Sequence, residues 1–408
     1  MMTRLRIALA LSAGACAIAT AQQPAPPAAP PQAWVAVTPI EPPATPLASE
    51  AASAGVTRFS FLAYGDTRTG SGTPSDMDAP NPEHTRVMDG MLAKIRELSS
   101  TAMPVRLVLQ SGDGVLRGVD GQRWNLGFTP VIERLTKGAN IPYFFTAGNH
   151  DVTGGPPGDP QRSIGLHNTL TAISRLIPAE GSPRRLSGYP TYAFGYGNTF
   201  FIAFDSDIAQ DTTQASWVAN QLEHLDRARY RHVIVFCHHP PYSSGPHSGA
   251  SADPVPGTGV KAPDRVEPSS AAIRTVYMPM FRKHHVRMIV AGHEHLFDHF
   301  VERYDDQGVT YRLDTIVSGG GGAPTYTYNG EPDLRGYMTA GGAANVRVEH
   351  LMKPGLTIAE NPHHFVVIQV DGDKLSLEVI AAGGARYTPY PGGVSKIALD
   401  DKKPSSAQ

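Results

Sequence analysis

The chain has 408 residues, 41% of them hydrophobic, and a formal net charge of −2. That is enough for one large domain or two small ones with an ordinary core, and it excludes a fibrous or wholly disordered protein. No block of lysines and arginines could track a phosphate backbone, which argues against nucleic acid as an obligate partner.

The N-terminus has the three-part layout of a secretory signal peptide over residues 1–21: basic Arg4 and Arg6, the apolar run Ile7 to Thr20, and the small-residue triplet Ala19-Thr20-Ala21. The run is shorter than the ~20 residues a spanning helix needs, and no later segment is long and apolar enough, so no transmembrane segment is expected. Cleavage after Ala21 is the first reading. Lipid attachment at Cys16 is the second, because Ala13-Gly14-Ala15 lacks the aliphatic residue usual three positions upstream. Either route takes the protein out of the cytoplasm, to the periplasm or the medium. Of the two cysteines, only Cys237 then remains, inside a strand-like run that predicts a buried, inert thiol.

Residues 22–55 are crowded with Pro and Ala and lack apolar periodicity, so they read as an extended linker. A folded domain is expected over 56–385, and 386–408 as a tail. Phe59 to Tyr64 reads as a strand, and Val87, Met88, Met91, Leu92, Ile95 and Leu98 recur at helical spacing. Val105 to Leu109 is the next strand, which opens a βαβ unit. Pro130 to Leu135 is a short helix candidate before the strand Tyr143 to Phe145. The stretch 151–190, rich in Gly and Pro, reads as an insertion. Tyr192 to Phe194 and Phe200 to Phe204 form a hairpin around Gly197-Asn198. Trp217, Leu222 and Leu225 mark a helix, Val233 to Cys237 a strand, and 242–268 a polar loop. Val286 to Ala291 and Tyr311 to Val317 are further strands, and Phe365 to Val370 with Leu375 to Ile380 flank the turn Asp371-Gly372.

Five of these runs end in side chains that can hold a metal. They are followed by Asp66, by Asp113, by Asn149 and His150, by His238, and by His293 and His295. Ligands gather beyond the carboxyl ends of strands in an open α/β sheet, so the five tips can converge. Carboxylate, amide and imidazole together suit zinc, manganese or iron. Asp113 is the natural bridge, since an ionised carboxylate best holds two cations together.

The ordered set Gly65-Asp66, Gly112-Asp113, Gly148-Asn149-His150-Asp151, His238-His239-Pro240 and Gly292-His293-Glu294-His295 resembles the calcineurin-like metallophosphoesterase superfamily. Cys237 to Tyr242 and Val317 to Ala323 resemble its purple acid phosphatase branch. The resemblance spans about Phe59 to Ile380 and implies a four-layer α/β/β/α sandwich. It further implies a hydrolase that cleaves small phosphorylated substrates by a hydroxide bridging two di- or trivalent ions. By it, Asp66 and His295 would bind the first ion, Asp113 would bridge, and Asn149, His238 and His293 would bind the second. His150 would be the acid near the leaving group, and Asn149 would also touch a phosphate oxygen.

Two positions depart from the family pattern. Arg68 stands where a histidine is usual, and Leu116 where the purple acid phosphatases have a tyrosine. A guanidinium has no lone pair to give, so the first ion would be completed by water or by an inserted histidine such as His167 or His247. Arg68 is expected either to pair with a site carboxylate, as by bracing Asp66, or to clamp a substrate phosphate. Phosphomonoesters are the leading substrate reading. Phosphodiesters, or a catalytically weak metal- or phosphate-binding role, are the alternatives, and oligomeric state is left open.

Overall fold

The structure, a computed structural model, describes residues 35–70, 77–152, 159–247, 266–328, 346–353 and 361–399. The expected signal segment, its cleavage site, Cys16 and the first part of the linker lie outside the described residues, as does the tail from 400 onward. Among the described residues, no helix is long and apolar enough to cross a membrane.

Two β-sheets stack face to face with helices on their outer faces. The first sheet contains β1 (Arg58–Tyr64), β2 (Val105–Gln110) and β3 (Tyr143–Phe145), which are mutually parallel. It continues on the other side of β1 into antiparallel β11 (His364–Asp371), β12 (Lys374–Ala381) and β13 (Lys396–Ala398), in the order β13-β12-β11-β1-β2-β3. The second sheet runs β10-β8-β9-β7-β6-β5-β4. Its members are the hairpin β4 (Tyr192–Tyr196) and β5 (Thr199–Ala203), then β6 (His232–Phe236), β7 (Met288–Ala291), β8 (Phe297–Asp306), β9 (Val309–Ser318) and β10 (Val346–His350). Strands β5, β6, β7 and β9 are parallel neighbours.

Alternation along the strands builds the layers. In β6, Ile234 and Phe236 join the core between the sheets, whereas Val233 and Val235 join the outer cluster under α4 (Thr212–Glu223) and α6 (Met278–Lys283). Aromatic rings lock the sheets together, with Phe61 edge-on to Phe201 at 5.4 Å and Phe144 stacked on Phe194 at 3.8 Å. On the outer face of the first sheet, α1 (Pro82–Leu98) buries Val87, Met88, Met91, Ile95 and Leu98, as its spacing predicts. The helix starts at Asn81, whose side chain accepts the Glu83 N–H at 3.0 Å. The same side chain donates to the carbonyls of Thr67 and Gly322 at 3.0 Å, which ties the cap to loops beside β1 and β9.

Three regions differ from the sequence reading. The stretch 151–190 contains α3 (Pro160–Ile173), capped by Asp159. Its buried face carries Arg162, Asn168 and Thr169 beside Ala172 and Ile173, so no apolar periodicity announces it. The described part of the expected linker is extended but packed: Ile40 is fully buried and its N–H bonds to Ala172 O at 2.8 Å. Glu50 closes this strap with ion pairs to Arg184 at 2.9 Å and a hydrogen bond from Tyr230 Oη at 2.7 Å. At the other end, β13 adds a strand to the first sheet, and Tyr387, Tyr390 and Leu399 are buried. Cys237 is fully buried, as expected, and burial pushes its thiol up.

Candidate metal centre

The site lies where the carboxyl ends of the two sheets meet. Asp66 follows β1, Asp113 follows β2, Asn149 and His150 follow β3, His238 follows β6, and His293 and His295 follow β7. Asp66, Asp113 and His293 have φ of 62°, 54° and 70°. Non-glycine residues rarely adopt this left-handed region, and such strain persists where surrounding bonds over-determine it. Here the Asp66 N–H donates to Gly112 O at 3.0 Å, Thr67 N–H to Asp113 O at 2.9 Å, and His293 N–H to the Asp66 carboxylate at 2.9 Å. Space is equally tight. A Cβ at Gly148 would fall 2.4 Å from Asp113 Oδ1, and one at Gly292 2.3 Å from Asp66 Oδ2.

Around the buried Asp113 the donor atoms converge. His238 Nε2 lies 3.3 Å from Asp113 Oδ1, 3.0 Å from Asn149 Oδ1 and 3.2 Å from His293 Nδ1. On the opposite side His295 Nε2 is 3.5 Å from Asp66 Oδ1. The outer ring nitrogens settle the tautomers. His238 Nδ1 is 2.8 Å from Ser111 O and His295 Nδ1 is 2.7 Å from Pro324 O. A nitrogen facing a carbonyl must carry the proton, so each neutral ring turns a lone pair inward. Burial lowers His238 and His293, and burial with the Arg68 charge lowers His295 to about 3, so the rings are neutral near pH 7.

The inner surface is therefore crowded with acceptors. Burial alone would raise Asp113, but His238 and His150 when protonated, and Arg68 at any pH, hold its carboxyl well below the usual range. Burial and the Asp113 charge together push Asp66 well up. Two buried carboxylates ringed by lone pairs form a cradle for cations, and this donor set fits two di- or trivalent ions. Two triplets have ligand atoms within 4.8 Å of one another: Asp66, Asp113 and His238, and His239, Glu267 and His293.

The structure gathers the whole set singled out from the sequence. His150 donates its backbone N–H to Asp113 Oδ1 at 3.0 Å, and its ring Nδ1 bonds to Leu116 O at 2.8 Å. Its Nε2 is left 4.0 Å from Asp113 Oδ2 on a side chain 31% exposed. Arg68 does not brace Asp66. Its Nε lies 3.3 Å from Asp113 Oδ2 and its Nη2 3.4 Å from His295 Nε2, because the backbone N–H groups of Thr67 and Arg68 both bond to Asp113 O and carry the side chain to that carboxylate. Neither inserted histidine supplies a ligand beside Asp66. His167 is exposed on α3, and His247 stacks 4.7 Å from His293, tied by Nδ1 to Glu294 Oε2 at 3.2 Å. Asp151 orders the turn before His150, accepting the Gly148 N–H at 2.9 Å. His239 is buried, with Nδ1 2.9 Å from Ser206 Oγ.

Three neighbours escaped the sequence reading. Glu294, between the paired histidines, is fully buried and accepts the His247 N–H at 2.8 Å. Tyr326 stacks on His295 at 4.0 Å. Glu267 reaches His293 Nε2 at 2.8 Å from a loop position 26 residues away, a separation that leaves no periodic signal. Burial could have flagged Glu294 alone, as the middle residue of a motif closed on both sides.

A family model described as calcineurin-like phosphoesterase matches residues 61–297. A search of curated proteins finds no match. Among solved structures, the chain is similar to purple acid phosphatase PPD1 from yellow lupin (Lupinus luteus) seeds, with a TM-score of 0.53 and 18% identity over 87% of this chain and 54% of that one. It thus spans about half the length of the lupin protein. PhoD (TM-score 0.46, 11% identity, 89% of this chain and 74% of that one) and GAP50 of Plasmodium, the anchor in the inner membrane complex (0.45, 12%, 86% and 91%), also match.

Proposed function

We propose that this chain, which belongs to the calcineurin-like phosphoesterase family, is an exported hydrolase that removes the phosphoryl group from small phosphomonoesters. The observation that supports the reading is the inward convergence of neutral ring nitrogens and carboxylate oxygens on Asp113. Asp66 and His295 would hold one ion, Asn149, His238 and His293 the other, and Asp113 both. Iron, zinc or manganese suits the mixed set. When bound, such a pair supplies acidified water and neutralises phosphate charge.

The chain's own residues do the rest. His150 is anchored through Nδ1 to Leu116 O, so its Nε2 is aimed at the Asp113 side from a partly open position. In its protonated form it hands a proton from Nε2 to the leaving oxygen. Arg68 covers Asp113 and His295. With Asp113 and His295 engaged as ligands, the guanidinium would pair with phosphate oxygens. Asn149 turns Oδ1 toward His238, which leaves its amide N–H groups to donate to a phosphate oxygen. The Arg68 cation beside two metal ions would favour the dianion of a monoester over the single charge of a diester.

The test is turnover by the purified protein, loaded with manganese, zinc or iron, of a chromogenic monoester and a chromogenic diester. Higher kcat/KM for the monoester is expected. A preference for the diester would reverse the substrate assignment, and no turnover with any metal would remove the enzyme reading. Export is checked on the mature protein, whose first residue should be Gln22.

A further inference from the structure

We infer that Glu267 is a positioning residue that fixes the tautomer and aim of His293, and thereby sets the affinity of the pocket formed by Asp113, Asn149, His238 and His293. The inference rests on the reading that this pocket holds an ion.

The four site imidazoles are not held alike. His150, His238 and His295 each give a ring N–H to a backbone carbonyl, those of Leu116, Ser111 and Pro324. Those acceptors belong to the turns themselves and move only with the chain. Among the described residues, none gives such a carbonyl to the His293 ring. Its Nδ1 faces His238 Nε2 at 3.2 Å and its Nε2 meets Glu267 Oε2 at 2.8 Å. A carboxylate accepts and cannot donate when ionised, so Glu267 draws the His293 proton to Nε2 and leaves the Nδ1 lone pair facing inward. Without it, the neutral ring is free to carry its proton on Nδ1, where it would block the pocket.

Glu267 is itself held from two sides. His239 Nε2 lies 3.6 Å from the same Oε2, and the opposite nitrogen of His239 is fixed by Ser206 Oγ at 2.9 Å. That serine also accepts the N–H groups of His238 and His239, at 3.2 and 2.9 Å. A ligand of the pocket and the carboxylate behind another ligand are thus set from one hydroxyl. The side chain of Glu267 is 34% exposed, against 8% for His293. Its backbone N–H also bonds to His247 O at 3.4 Å, so Glu267 is tied to the site wall. The site therefore has one adjustable imidazole support beside three rigid ones.

Outer carboxylates of this kind change metal affinity by about 10–100-fold. The experiment titrates the metal-stripped full chain, and its Glu267→Gln and Glu267→Ala variants, with Mn²⁺ or Zn²⁺ by calorimetry. Two equivalents are expected in all three proteins, with one binding step weakened by about 10-fold or more in Glu267→Ala, less in Glu267→Gln, and the other step unchanged. Nitrogen-15 spectra of the histidine rings provide a readout that mere structural damage would not reproduce. In the metal-free protein, His293 should shift from the Nε2–H toward the Nδ1–H tautomer in Glu267→Ala, while His238 and His295 keep theirs. Loss of a whole equivalent in Glu267→Ala would make Glu267 a ligand and overturn the inference, as would a third equivalent in the unaltered chain or unchanged affinities in both variants. Failure of the unaltered chain to bind two ions would instead sink the reading on which the inference rests.

Discussion

Two buried carboxylate clusters lie toward opposite ends of β7, and they are built in opposite ways. Asp314, on β9 beside Met288 at the start of β7, is fully buried. Arg312 forks onto it at 2.6 and 3.0 Å, His299 Nε2 meets it at 2.7 Å, and Arg287 closes the remaining side. Burial would raise its carboxyl, but Arg287, the His299 hydrogen bond and Arg312 hold it well below the usual range. Beyond the other end of β7, Asp66 and Asp113 are as deeply buried, and one guanidinium, that of Arg68, lies against Asp113. Asp66 is accordingly pushed up instead of down. Burial of an acid therefore does not mark a working site. What marks it is negative charge that the protein leaves uncovered, facing lone pairs it has taken care to point inward.

Substitutions should break the two clusters in different currencies of measurement. The largest effect is expected at Asp314→Ala, which removes the carboxylate between two buried arginines. Unfolding free energy should fall by about 3–5 kcal/mol, read from denaturant titration, with specific activity retained by the molecules that still fold. A stability loss below ~1 kcal/mol would show that the cluster is not the self-contained structural unit described. Asp113→Asn should do the reverse. It keeps the shape of the bridge and removes its charge, so the fold should survive while kcat/KM falls by more than the ~10²-fold limit of an outer-sphere change. Two ions at full occupancy with near-normal turnover would take the bridging role away from Asp113.

His150→Ala separates proton delivery from ion binding. Metal content should stay at its normal level while kcat drops by ~10²-fold, and loss of an ion would move His150 into the ligand set. The smallest change is expected at Arg68. If the guanidinium moves from Asp113 to a phosphate, Arg68→Ala should raise the inhibition constant for inorganic phosphate by roughly 10-fold, the worth of one charge-assisted contact, with metal content unchanged. Arg68→His supplies a ligand in the family pattern and should tighten the ion held by Asp66 and His295. Phosphate inhibition that is the same with and without Arg68 removes the clamp.

The parts legible in the sequence were those in which one local signal names both element and chemistry. A short apolar run followed by Gly-Asp, Gly-Asn-His or Gly-His-x-His announces a strand and the donor at its tip, and all of those tips converge. The hairpins at Gly197 and Gly372 were legible too, since their φ of 58° and 65° is what the glycine marks. Where polar groups are buried, the signal disappears. β8 carries Asp298, His299 and Glu302 as buried side chains, each satisfied by a partner from elsewhere: His350, Asp314, and Arg282 with Tyr242. α3 buries Arg162 against Asp205 at 2.7 Å. Such pairings are chosen in three dimensions and leave no period to read. Arg68 was flagged as a departure, but its partner was not foreseeable, because Asp66 and Asp113 are both within its reach and backbone bonds decide between them.

The strap that runs from Val35 to Glu50 closes the body it lies on, with Ile40 seated under Ala172 and Glu50 bound to Arg184. A shortened chain beginning at Val56 would lose not a tether but part of the wall, opening the groove that Val37 and Ile40 now fill.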